Sequence, residues 1–187
     1  MELTVPLHSI NTEYIRLSPP STGNKIHAHV SYSAPVVDMN SLSIIMPSLT
    51  IKSYELTTGQ LSLTIPPALT RRLQAIQERI VQEVRANQAT WFAGHRTKPG
   101  DDIYTGFQPM IDGNVLRLYC PIGAGATYDI HVFSNGAWSR GVKASDLEAN
   151  TRIRIILRIQ GVSFHDHPQG GWSGKFRLQH RVLGIFT

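Results

Sequence analysis

The chain has 187 residues, 41% hydrophobic and 17% charged, with a formal net charge of +5. That length buries a sizeable core, and that balance excludes a disordered chain. A single cysteine, Cys120, excludes an internal disulfide framework and suits a reducing compartment.

The amino-terminal residues lack the basic and long apolar regions of a secretory leader. No apolar run approaches the roughly 20 residues of a membrane span. The expectation is one soluble intracellular domain over 1–187 with no membrane partner. Residues 1–24 are polar, with a breaker cluster at 18–23 (SPPSTG), and read as an amino-terminal arm or an irregular first strand. In residues 25–33 (KIHAHVSYS), Ile26, Ala28, Val30 and Tyr32 alternate with polar residues, as in a half-buried strand. His27 and His29 fall on its polar face, where solvent-facing histidines outweigh a metal pair without a third ligand.

Two further strands are expected at 42–51 and 60–65, the first split or moved to a sheet edge by Pro47, with a turn at 57–59 between them. Pro66 and Pro67 then open the one long helix, expected over 68–87. Leu69, Leu73, Ile76, Ile80 and Val84 recur at spacings of three and four and form one apolar stripe. Trp91 and Phe92 follow and plug the helix end into the core. Residues 94–106 read as a charged loop in which Asp101 and Asp102 are solvated rather than metal-binding. Strands follow at 115–119 and 127–133. The Gly-rich segment between them lacks the Gly-Lys-Ser/Thr ending of a phosphate loop. Ser134-Asn135-Gly136 signals a tight turn, and 145–148 (SDLE) a short capped helical turn.

The carboxy-terminal stretch carries the charge. Residues 1–150 hold 12 Lys/Arg against 12 Asp/Glu, whereas 151–187 hold six Lys/Arg against Asp166 alone. In 151–160 (TRIRIILRIQ), Ile153, Ile155, Leu157 and Ile159 share one face, and Arg152, Arg154 and Arg158 the other. In 175–183 (KFRLQHRVL), Phe176, Leu178, His180 and Val182 alternate with Lys175, Arg177 and Arg181. An antiparallel hairpin of these runs, joined by a Gly-rich loop at 161–174, gathers its cations on one sheet surface. Like charges facing each other destabilise a sheet, so a polyanion is the expected cover. The bland alternative is a solubilising basic surface.

Single-stranded nucleic acid asks for cations along its phosphates and aromatic faces for its bases. Phe164, His165 and Trp172 stand at the mouth of the hairpin, and the glycines around Trp172 argue for its exposure. Trp138 and Tyr119 are further aromatic candidates, with Arg140 and Lys143 beside Trp138. His165-Asp166-His167 has chelating spacing but no fourth ligand. No Gly-x-Ser-x-Gly elbow is present, and Cys120 has no base beside it in sequence. Neither enzyme activity nor a cofactor is expected.

Strands dominate around one inserted helix: a mainly β fold, with an OB-like small barrel carrying extra elements as one candidate and a β-sandwich as the other. Over residues 42–186, an LSLT strand (61–64), the striped helix, the Trp91-Phe92 pair, RIILRIQGVSF (154–164) and RLQH (177–180) together resemble single-stranded DNA-binding proteins of large DNA viruses. The resemblance implies an OB-like core, sequence-independent binding and a role in replication or repair. The combined expectation is a binder of single-stranded DNA or RNA, DNA preferred. Phosphates track along Arg152, Arg154, Arg158, Lys175, Arg177 and Arg181, bases stack on Trp172, Phe164 and Trp138, and Arg140 and Lys143 extend the surface. The competing expectation is a self-associating viral structural or assembly protein with a β-sandwich fold.

Overall fold

The computed structural model describes residues 3–21, 25–93, 103–122, 130–166 and 171–187. In chain order the strands before the helix are β1 (Val5–Pro6), β2 (Ile15–Leu17), β3 (Ile26–Ala34), β4 (Val37–Met39), β5 (Leu42–Ile45), β6 (Leu49–Glu55) and β7 (Gln60–Thr64). Helix α1 (Pro67–Trp91) and the short α2 (Ile103–Gly106) follow. Then come β8 (Phe107–Gln108), β9 (Ile111–Asp112), β10 (Val115–Tyr119), β11 (His131–Ser134), β12 (Ala137–Arg140), β13 (Arg152–Asp166) and β14 (Trp172–Phe186). The fold is mainly β with one long helix.

β13 and β14 are the spine. They pair antiparallel along nearly their whole length, from Arg154 opposite Phe186 to Asp166 opposite Trp172. The expected loop at 161–174 is much shorter, because both strands run into it. Val162 and Phe164 continue the apolar inner face, opposite Leu178 and Phe176. A strand of 15 residues has a contour of roughly 50 Å, longer than β3, β5 or β6 on its far edge. Three strands therefore share the far edge of β13: β6 at Arg152–Ile153, β5 at Ile156–Ile159 and β3 at Gly161–Phe164. Register shifts at Ile156/Leu157 and Ile159/Gly161 let the pair bend. The second shift moves burial from odd to even residues, so Ile159 and Val162 face the same core. Gly161 is required there, since a Cβ would run into the carbonyl oxygen of Ala28 in β3.

The inner face holds the spine in place. Ile153, Ile155, Leu157 and Ile159 are buried, each contributing about 1.5–3 kcal/mol relative to exposure. A facing pair of like charges on the other side costs about 1 kcal/mol or less. Burial wins, so the sheet forms despite its basic surface.

From β13 the sheet continues through β6, β7, β10 and β9, and on the other side through β14, β11 and β12. Among the described residues no pairing joins β9 to β12, so the sheet is open and mixed and no closed barrel is formed. Pro47 splits the expected 42–51 strand into β5 and β6. The turn into β7 has Gly59 at φ +68°, and the β11–β12 turn has Asn135 at +51° and Gly136 at +79°. Residues 3–21 lie against the body: Leu7, Ile10 and Ile15 are buried, β1 pairs with β5 and β2 with β3.

Helix α1 starts at Pro67 and runs four residues beyond its expected end. Leu73, Ile76, Ile80 and Val84 are buried, with Val81 and Gln77 beside them. The buried Gln77 carboxamide accepts the Met110 N–H at 2.9 Å. Phe92 plugs the helix end against Trp172 and Phe164, with ring centroids 4.4 and 5.0 Å away.

Candidate nucleic-acid interface

Directly opposed residues in a sheet share a face, so the register sorts the cations. Arg158 lies opposite Arg181, and Ser163 opposite Arg177. Arg152 and Arg154 share the parity of Arg158, and Lys175 and Arg177 that of Arg181. All six predicted cations therefore stand on the outer face. They form a stripe of roughly 40 Å along the spine. Arg152, Arg154, Lys175 and Arg177 are exposed, and Arg158 and Arg181 half-buried. Burial, and then the neighbouring Arg181 charge, holds the Arg158 guanidinium below the usual arginine range. Two ion pairs, Arg79–Glu83 and Arg117–Asp112, form away from this stripe.

Two predicted stacking residues do not belong to this surface. Trp172 and Phe164 are each 2% exposed, which corrects the expectation that they meet bases. Glycine neighbours suggested an open loop around Trp172, but the residue opens β14. Its indole packs among Phe92, Phe164 and Phe176, while Nε1–H donates to the Lys175 carbonyl at 2.8 Å. A satisfied indole N–H makes that burial favourable.

Trp138 is on the surface, 52% exposed. It brings two aromatics that the sequence reading missed. Across the sheet Trp138 faces Phe133, Phe133 faces Phe186, and Phe186 faces Arg154. The Trp138 centroid lies 5.2 Å from that of Phe133 and 5.2 Å from that of Phe186. The next row carries Arg140, His131, Gly184 and Ile156. A Cβ on Gly184 would touch Ile156 Cδ1 at 3.4 Å and Trp138 Cζ3 at 3.6 Å, so the indole lies across this glycine. Arg140 thus joins the outer face through the β11–β12 hairpin. Lys143 is exposed just beyond it, and its backbone N–H donates to the Asp146 carboxylate at 2.7 Å. That bond caps a 3-10 turn over Ala144–Leu147, so the cap is Lys143, two residues before the start of the expected 145–148 turn. Phe133 was visible within its strand. Phe186 was hidden because the register shift near Leu183 breaks the alternation just before it.

His27 and His29 extend the outer face on β3, opposite Ser163 and Gly161, with rings 5.0 Å apart. His165 and Asp166 end β13, while His167 lies outside the described residues, as do Asp101 and Asp102. Among the described residues no three His, Cys, Asp or Glu side chains gather as a metal set. Cys120 is fully buried, and burial pushes its thiol up to about 12. At neutral pH it is therefore a thiol, not a nucleophilic thiolate. Among the described residues no helix is long and apolar enough to cross a membrane.

His180 is unlike its neighbours. It sits on the inner face opposite Ile159, and its Nε2 accepts the Tyr119 N–H at 3.0 Å. Burial lowers its pKa to about 4, outweighing an opposing backbone hydrogen bond, with Arg177 lowering it further. It is neutral at pH 7 and adds nothing to the cationic stripe.

No family model, curated protein or solved structure matches the chain. The reading of the surface rests on its own chemistry.

Proposed function

We propose that the protein binds single-stranded nucleic acid, DNA preferred, along the outer face of the β13–β14 hairpin, without enzymatic activity of its own. The observation that carries this is the opposition of Arg158 and Arg181 within a six-cation stripe on one face, bordered by Trp138, Phe133 and Phe186. A phosphate chain relieves the repulsion along the stripe, and the exposed indole offers a base a stacking face. The resemblance to viral single-stranded DNA-binding proteins agrees with this reading and points to replication or repair inside the cell. An OB-like architecture, in this proposal, takes the form of a curled but open sheet: β10 approaches β14 through the Tyr119–His180 contact.

Titrating labelled oligo-dT at several salt concentrations tests the proposal. Log affinity falls linearly with log salt. The Arg158→Ala/Arg181→Ala double variant lowers the magnitude of that slope by about 1.4, at roughly 0.7 per phosphate contact on a single strand. Wild-type protein that fails to bind any single strand at low salt sinks the reading.

A second reading, a self-associating structural protein, is favoured by β12. Its residues Ala137–Arg140 are all exposed, at one end of the pairing path, as suits pairing with a second copy. Light scattering without nucleic acid separates the two: a concentration-dependent rise in mass, abolished by a proline in β12, supports assembly.

A further inference from the structure

Tyr119 closes β10 and has a hollow on each side. A cavity of about 520 Å³ is lined by Tyr119, Gln160, Arg177, Leu178, Gln179 and His180. A smaller one, about 200 Å³, is lined by Thr58, Gln60, Arg117, Leu118 and Tyr119. The larger falls within the range of small-ligand sites.

The tyrosine is 45% exposed, yet its backbone is held on both sides. Its own N–H donates to His180 Nε2 at 3.0 Å. The following Cys120 N–H donates to the Gly59 carbonyl at 2.7 Å, and the Cys120 carbonyl accepts the Tyr54 hydroxyl at 2.9 Å. Gly59 lies close beside the ring, since a Cβ there would come within 3.1 Å of Tyr119 Cε2. An aromatic face mounted this firmly loses little freedom when something stacks on it.

The lining selects by chemistry. Among the described residues it offers the Tyr119 ring, the neutral His180 imidazole, two carboxamides and one guanidinium, and no carboxylate. Such a site suits a flat, uncharged ring with a hydrogen-bonding edge, joined to one anionic group. A carboxamide matches the N6 donor and N7 acceptor of adenine in a bidentate pair.

We propose that this cavity is a base pocket that takes one adenine nucleotide, its ring on Tyr119, its edge toward Gln160 and Gln179, and its phosphate toward Arg177. The inference rests on the single-strand reading, because Arg177 belongs to both the cationic stripe and the pocket. A strand following the stripe passes the mouth and places one base inside. A free adenine nucleotide presents the same chemistry, and the experiment separates the two sources.

Fluorescence anisotropy compares labelled dT12 with the same oligonucleotide carrying one central dA, and calorimetry measures AMP alone. The dA strand is expected to bind at least about fivefold tighter, the lower end of one stacked base. Tyr119→Ala and, separately, Gln179→Ala bring the two strands to equal affinity, while dT12 binding keeps its salt dependence. Equal affinity of the wild-type protein for both strands, or a dA preference that survives Tyr119→Ala, overturns the pocket and leaves the stripe standing. If no strand binds, the stripe reading has failed. AMP binding lost in both variants then sustains the pocket as a free-nucleotide site, and absence of AMP binding overturns it.

Discussion

Two aromatic clusters flank the same hairpin and do opposite things. Near the hairpin tip, Phe164, Trp172 and Phe176 pack with Phe92 on the inner face, at most 2% exposed apart from Phe92 at 4%. At the other end, Phe133, Trp138 and Phe186 lie on the outer face beside Arg154, with Trp138 half in solvent. Each cluster has one tryptophan and at least two phenylalanines, so residue type does not separate them. Burial does: a ring already surrounded by protein has no face left for a base. Changes in the first cluster should move stability and leave binding alone; changes in the second should do the reverse.

The largest expected effect is at Phe176, which is fully buried. Phe176→Ala destabilises by about 3–5 kcal/mol through lost burial and a residual cavity, read as a lower urea midpoint. A loss below about 1 kcal/mol would break the assignment of this cluster to the core.

His180, on the same inner face, gives the next effect and a pH signature. Its folded pKa is about 4, below the ordinary 6.5. Between those values the unfolded chain binds more protons than the folded one, so stability rises with pH across that window. The contribution is fully present above pH 6.5 and is lost progressively toward pH 4, about 3 kcal/mol in total at 1.36 kcal/mol per unit. Urea unfolding at pH 7 and pH 4.5 measures it. His180→Gln flattens the difference; an unchanged pH profile in that variant removes His180 as the cause.

Trp138 gives the smallest effect in energy and the sharpest contrast. Trp138→Ala weakens oligo-dT binding by about 1–3 kcal/mol, the worth of one stacked base, while the urea midpoint shifts little because the ring is half exposed. Trp172→Ala does the opposite. A Trp138 variant that unfolds the protein and a Trp172 variant that alters binding alone would invert the comparison.

Much of this was legible in the chain. The period of two in 151–160 and 175–183 placed the cations on one face and the aliphatics on the other, because a strand alternates its side chains by covalent geometry alone. The spacing of Leu73, Ile76, Ile80 and Val84 marked the helix, Pro47 the break between β5 and β6, and Asn135-Gly136 the hairpin turn, each for equally local reasons. Trp172 was misread because its glycine neighbours looked like a loop, while its true environment comes from Phe176 on its own strand and from Phe92 and Phe164, which no pattern around residue 172 encodes.

Alternation also fails at a bulge, which hid Phe186 behind Leu183 and Gly184 and hid the inner-face role of Val162 and Phe164. The sequence by itself determined which residues can be strands, which side of each strand is basic, and where the excess charge lies. Only the tertiary structure decided that Arg158 faces Arg181, that Trp138 rather than Trp172 meets solvent, that Tyr119 stands between two hollows, and that the sheet stays open. Those are relations between segments far apart in the chain, set by register and packing.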